Sequence, residues 1–345
     1  MDWYLKPSGF FALKRMDLQR CKKVCPSGVS YYLLTLILGC LFLSQAASAS
    51  ETFLMPLGPV AEEQKVHFFW AMALTMVAIL PVFILVPVIL FKYRRKKGRG
   101  FYAPKWETYG PLELIMWGVP FLVIIVLSVM LWRATARLDP YKEIQGVVPP
   151  IKVQVVGLDW KWLFIYPELD IATVGELVVP VHTPISMILT SDTVMQSFFI
   201  SALAGQIYVM PGMTTQLNFI ASKTGETEGE NTQYTGDGFA DQKFNVQVVN
   251  SDNFDRWVQR VHSTGIELST ENYNRLAQRT TKKQAHGELA TAQMPEKVIY
   301  FTLPGTQLFH EIVMRYHSGK PLSIEDQPGT EKFGRGKEDV EGVQP

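Results

Sequence analysis

Few side chains in this sequence could do redox or metal chemistry, and most are poorly placed for it. The three cysteines, Cys21, Cys25 and Cys40, all stand near the amino terminus. Cys21-Lys22-Lys23-Val24-Cys25 has the spacing of a thiolate pair able to hold two copper ions, but it lies in a basic stretch with no histidine beside it. A metal site needs several converging ligands, so the pair reads as a decoy. The histidines (His67, His182, His262, His286, His310 and His317) are scattered without ligand spacing. His182, in a strand-turn segment, reads as structural. Asp237, between two glycines, reads as a turn residue. Trp160 and Trp162 share one face of a regular strand with Lys161 opposite, and read as a structural aromatic pair for core or interface packing. Glu113 differs from the rest. It follows Pro111 and opens an uncharged apolar run. A carboxylate there is favourable at the positive end of a helix dipole. An ionisable group at the hydrocarbon edge also reads as a candidate proton-entry group.

The elements that must position these residues fall into distinct zones along 345 residues of formal net charge +1 and 47% hydrophobic content. That near-neutral balance argues against nucleic acid as a partner. Residues 1–49 read as a leader. Lys6, Lys14, Arg15, Arg20, Lys22 and Lys23 form its basic region, Tyr31 to Leu43 its apolar region, and Ala47-Ser48-Ala49 a small-x-small cleavage pattern. Cleavage after Ala49 is the favoured reading. The alternatives are lipidation at Cys40, since Ile37-Leu38-Gly39-Cys40 resembles a lipoprotein box, and a retained span. Met16 is an alternative start.

Residues 50–138 then read as a transmembrane hairpin, with helices at about 66–91 and 112–133 and a loop at 92–110. Phe68 to Phe91 and Leu114 to Trp132 carry no charge and are long enough for a hydrocarbon core of about 30 Å. Pro81 and Pro87 suggest a kink in the first. Lys92-Tyr93-Arg94-Arg95-Lys96-Lys97-Gly98-Arg99 holds the loop in the cytoplasm, so both flanks lie outside. Trp106, Trp117, Trp132, Tyr93, Tyr102 and Tyr109 supply the aromatic belts.

Residues 139–250 read as a periplasmic β-sandwich. Strand candidates are Ile151–Val155, Trp160–Phe164, Glu176–Val181, Ile185–Thr190, Ser197–Ile200, Thr215–Ile220 and Phe244–Val249, with turn residues between them. Residues 251–319 read as a helical extension, with helices around Phe254–Val258, Tyr273–Ala277 and Leu308–Tyr316. Residues 320–345 are polar and predict disorder.

Val155 to Pro167, Pro180-Val181-His182-Thr183-Pro184, Val194-Met195-Gln196-Ser197-Phe198 and Val209-Met210-Pro211-Gly212 match, in order and spacing, subunit II of haem-copper respiratory oxidases. The anchors and Glu113 match too. The resemblance spans about residues 54 to 318. It implies a membrane-anchored all-β fold: a two-helix hairpin, a cupredoxin-like sandwich and a small helical carboxy-terminal extension.

In the cytochrome c oxidases of this superfamily the subunit holds a dinuclear copper centre. The resemblance puts its ligand positions at Gln196, Asn231, Gln233, Thr235, Phe239 and Gln242. None is a thiolate, imidazole or thioether, and no Cys or His lies between Leu203 and His262, so no metal is expected. That pattern, with the stretch from Phe254 to Tyr316, resembles the bo-type ubiquinol oxidases. It implies an accessory subunit without cofactors of its own, in a proton-pumping complex of the bacterial inner membrane that oxidises ubiquinol and reduces oxygen to water. Haem, copper and ubiquinol would belong to subunit I, with subunits III and IV and the bilayer as further partners. Glu113 would stand at the mouth of a proton path. The rival readings are a copper-binding electron-transfer subunit of a cytochrome c oxidase and a membrane-anchored periplasmic binding or assembly module.

Overall fold

The computed structural model describes residues 51–93, 108–144, 146, 148–305, 307–317, 322–330 and 332–333. The leader with Cys21, Cys25 and Cys40, and most of the basic loop, lie outside the described residues. After a short helical turn at Glu51–Leu54 come two long helices, α1 (Pro59–Lys92) and α2 (Gly110–Arg137). Both overrun the apolar stretches read from sequence, because Pro at the first turn preorganises each helix start. Pro81 and Pro87 lie inside the continuous α1. Both helices are long and apolar enough to cross a membrane. They are apolar all round, and only Ala61 and Val123 are buried along them. Such a surface needs lipid or a protein partner. At their ends next to the sandwich His67 Nε2 lies 3.2 Å from Met130 O, and Arg137 donates to Glu63 at 2.8 Å.

Two sheets follow. From edge to edge the larger runs Ile266–Glu267, Ile299–Thr302, Ile171–Val174, Lys161–Tyr166, Ile151–Leu158, Pro184–Ser191 and Thr215–Ile220, and the smaller Glu176–Pro180, Lys243–Val249, Gly225–Asn231, Gln196–Ile200 and Ala204–Val209. The strands of the sandwich are β1 (Ile151–Leu158), β2 (Lys161–Tyr166), β3 (Ile171–Val174), β4 (Glu176–Pro180), β5 (Pro184–Ser191), β6 (Gln196–Ile200), β7 (Ala204–Val209), β8 (Thr215–Ile220), β9 (Gly225–Asn231) and β10 (Lys243–Val249). Alternation along them turns apolar side chains inward. The centre of the core is aromatic: Phe198 stacks on Phe244 at 5.2 Å between centroids, and Trp162 meets Phe198 edge-on at 5.1 Å. Such pairs contribute about 0.5–1.5 kcal/mol beyond their burial.

Strand β9, GETEGEN, has almost no apolar residue and escapes sequence patterning. It is a strand because Gly229 leaves room for the Phe244 ring. A Cβ there would stand 2.1 Å from that ring.

The extension adds α3 (Ser251–Thr264), β11 (Ile266–Glu267), α4 (Thr270–Leu276), α5 (Lys282–Leu289), β12 (Ile299–Thr302) and α6 (Leu308–Arg315). It is helical as expected but also continues the larger sheet, since β12 pairs with β3. Helix α3 buries Phe254, Trp257 and Val261 on one stripe. Helix α5, absent from the sequence reading, is opened by a capping box between Thr281 and Gln284. The tail is not wholly solvent-facing, for Phe333 joins the hydrophobic core.

Candidate functional site

The candidate ligand positions lie at one end of the sandwich, on the start of β6, the end of β9 and the loop that leads into β10. β6 and β9 are neighbours, with Phe198 opposite Asn231, so pairing alone brings Gln196 near Asn231. The loop then turns back through a short 3-10 segment, Phe239–Asp241, and delivers Gln242 beside both. Gln196, Asn231 and Gln242 are at most 4% exposed. Buried amides are costly unless paired, and these pair with one another. Gln242 Nε2 donates to Gln196 Oε1 at 2.6 Å and to Leu158 O at 3.2 Å. Gln196 Nε2 donates to Leu158 O at 3.1 Å and to Thr193 Oγ1 at 3.2 Å. Asn231 Nδ2 donates to Gln242 Oε1 at 2.8 Å and to Thr235 Oγ1 at 3.3 Å. Asn231 Oδ1 accepts from the backbone of Ser197 at 2.9 Å and of Gln233 at 3.0 Å.

Four of the six positions therefore meet: Gln196, Asn231, Thr235 and Gln242. Gln233 contributes its backbone N–H, and Phe239 packs on Tyr234 at 5.7 Å between ring centroids. Asp237 is exposed in its turn, as expected.

The tryptophans part company with the reading of one regular strand. β1 and β2 form a hairpin whose ends pair Leu158 with Lys161, so Trp160 sits in the tip with φ +59. Its indole covers the amide cluster, with Nε1 donating to Thr235 O at 3.3 Å. Gly238 is required beneath it, because a Cβ there would stand 2.2 Å from the ring. Arg279 of the extension lies over the same ring at 5.3 Å. Trp162 instead belongs to the central core. They do not act as a pair.

Lys161 is also not on a solvated face. It is 1% exposed, and its Nζ donates to Gln278 O at 2.9 Å, Thr280 O at 2.6 Å and Thr280 Oγ1 at 2.9 Å. Burial pulls its ammonium down to about 7, against the attraction of Asp159 and Glu288. A lysine between two tryptophans, in a segment whose other charge is Asp159, was the signal that could have marked it.

A second buried charge was missed altogether. Asp192, fully buried after β5, accepts from Arg315 Nη1 at 2.8 Å, from Tyr316 Oη at 3.0 Å and from the Tyr273 hydroxyl. Burial raises its carboxyl above the usual range, opposed by Arg315 and the tyrosines. Its partners all come from the extension, far along the chain, so no local pattern pointed to them. Glu176 on β4 is held in the same way by Tyr300 Oη at 2.8 Å and Trp257 Nε1 at 3.4 Å.

Glu113 stands exposed in the first turn of α2, where its N–H donates to Tyr109 O at 3.1 Å. The histidines stay apart as ligands: among the described residues no three His, Cys, Asp or Glu side chains converge. His182 occupies a tight turn with φ +60.

Residues 168–249 match the family described as cytochrome c oxidase subunit II, periplasmic domain. The chain is 41% identical over 251 residues to cytochrome bo(3) ubiquinol oxidase subunit 2 of Buchnera aphidicola subsp. Baizongia pistaciae, covering 72% of this chain and 87% of that protein. Ubiquinol oxidase subunit 2 of Acetobacter aceti is 39% identical, with 76% and 82% covered. Cytochrome bo(3) ubiquinol oxidase subunit 2 of Pseudomonas putida is 42% identical, with 70% and 76% covered.

Proposed function

The chain belongs to the ubiquinol oxidase subunit 2 family, and from that premise we propose how its parts serve such an oxidase. It is the accessory second subunit, held in the bacterial inner membrane by α1 and α2 and carrying its sandwich in the periplasm. Its catalytic partner is subunit I, which holds the haems and copper and takes electrons from ubiquinol, and subunits III and IV complete a proton-pumping complex. This chain carries no redox centre of its own. It contributes anchoring and assembly, and Glu113 contributes a proton-entry group.

The observation that carries this reading is the self-satisfied amide cluster. A copper pair requires soft thiolate or imidazole donors. Gln196, Asn231, Thr235 and Gln242 offer only amide and hydroxyl groups, already committed to one another across contacts of 2.6 to 3.4 Å. The donor set does not fit the metal. The covering of Trp160 by Arg279 supports the same reading, since that end of the sandwich is packed against the chain's own extension.

Two measurements test it. The full-length chain, purified without its partners and loaded with copper, is expected to retain no stoichiometric metal. A bound copper pair with near-infrared absorption would restore the electron-transfer reading. Purification from native membranes is expected to bring a many-spanning haem protein with the chain. Recovery without one would favour a separate binding or assembly module.

A further inference from the structure

The junction between anchor and sandwich holds a cavity of about 680 Å³ that the role described above leaves unused. Its walls come from both parts: Gln64 on α1, Arg137 at the end of α2, Asp139, Lys142 and Glu143 on the connector, and Asn218 on β8. These walls are tied together. Arg137 donates to Glu63 at 2.8 Å, and Asn218 donates to Pro140 O from its backbone at 3.0 Å and its side chain at 3.1 Å. Gln64 lies against Gly205, where a Cβ would come within 2.9 Å of it. The cavity is preformed.

Its depth follows from the helices. Gln64 precedes the apolar run of α1 by about 6 Å along the axis, and Arg137 follows that of α2 by about 7.5 Å, at the helical rise per residue. The polar layer on each face of a bilayer is roughly 5–8 Å thick. The cavity therefore sits at headgroup level on the outer face. The lining pairs two cations, Arg137 and Lys142, with two carboxylates, Asp139 and Glu143. An anionic ligand would meet no surplus of positive charge there. A ligand carrying one charge of each sign would find a partner for both.

We propose that this cavity binds the headgroup of a phosphatidylethanolamine lipid, with the phosphate toward Arg137 and Lys142 and the ammonium toward Asp139 and Glu143. Its volume lies within the roughly 300–1,000 Å³ of small-molecule sites. A primary ammonium donates hydrogen bonds to carboxylates. A quaternary choline cannot, and a phosphoglycerol headgroup leaves the carboxylates uncompensated. The proposal depends on the chain being anchored in a membrane, not on the oxidase role.

A photoreactive benzoylphenylalanine in place of Ile144, which lines the cavity, tests it in the assembled complex. The complex is reconstituted in vesicles of phosphatidylethanolamine, phosphatidylcholine or phosphatidylglycerol, irradiated, and its peptides are analysed by mass spectrometry. A lipid adduct is expected in phosphatidylethanolamine, reduced about tenfold in the other two, the loss expected for one charged contact. The double variant Lys142→Gln with Glu143→Gln, both exposed, is expected to lower the adduct similarly. Glu63→Gln releases Arg137 without altering the lining and is expected to preserve it, which a merely loosened junction would not. Equal adducts in all vesicles, no adduct, a bond to another polypeptide, or insensitivity to the double variant would each overturn the proposal.

Discussion

Gln242 is the hub of the amide cluster, donating to Gln196 and Leu158 and accepting from Asn231. Gln242→Met keeps nearly the same volume and removes these bonds and the one from Thr235, leaving Gln196 Oε1 without a partner. Each buried group left unpaired costs about 1–3 kcal/mol. At roughly 2–4 °C per kcal/mol for a domain of this size, its melting temperature in the purified complex should fall by about 2–12 °C. An unchanged value would mean that the cluster merely fills space. Glu113 poses the opposite question, since its geometry suits a helix start and a proton-entry group equally. Loss of the dipole contact alone costs only about 0.3–1 kcal/mol. Glu113→Gln and Glu113→Ala complexes should therefore assemble with normal haem content but oxidise quinol more slowly, with Glu113→Asp partly restored. Wild-type turnover in both of the first two would reduce Glu113 to a helix start.

The extension is the element whose role changes most once its contacts are known. It grips the sandwich through buried polar anchors: Lys161 by the turn between α4 and α5, Asp192 by Tyr273, Arg315 and Tyr316, and Glu176 by Trp257 and Tyr300. Buried pairs of this kind are costly to break one side at a time. Lys161 should make the grip depend on pH. Its ammonium falls from an ordinary value of 10.5 to about 7 on burial. Between those values the unfolded chain binds more protons than the folded one, so stability rises with pH through that window and is level below it. Limited proteolysis at the turn carrying Gln278 and Thr280 should accordingly slow as pH rises from about 7 to about 9. Lys161→Met should abolish that slope. If the variant keeps the slope, another group is titrating.

At the scale of the whole molecule, an apolar hairpin and a close-packed sandwich are joined by a short, tied connector. Leu57 reinforces the joint, donating to Ala202 O at 2.8 Å and accepting from Ser222 at 2.7 Å. The proposed orientation rests on the basic run from Lys92 to Arg99, since dense positive charge tends to stay cytoplasmic. Single cysteines replacing Gly98 and the exposed Lys223 test it with a membrane-impermeant thiol reagent in intact cells. Only the Lys223 position should react. Labelling at Gly98 without Lys223 would invert the topology and move the proposed lipid cavity to the other leaflet.

What the sequence determined by itself is whatever is encoded by neighbours along the chain. The uncharged runs from Phe68 and Leu114 are spans because hydropathy is additive over a helix, and the alternation in Ile151–Val155 or Phe244–Val249 is a strand because the pleat has period two. The absence of soft ligands at Gln196, Asn231 and Gln242 was equally legible, once the resemblance to oxidase subunit II had marked those positions. The tertiary structure alone decided how those amides satisfy one another, that Trp160 turns out of the strand to cover them, and that GETEGEN is a strand beneath Phe244. It also decided where the buried charges find partners. Asp192 meets Tyr273 and Tyr316 across 81 and 124 residues. Periodicity says which face a residue shows, but a buried polar group must be matched by a particular partner brought from elsewhere in the chain, and only packing selects it.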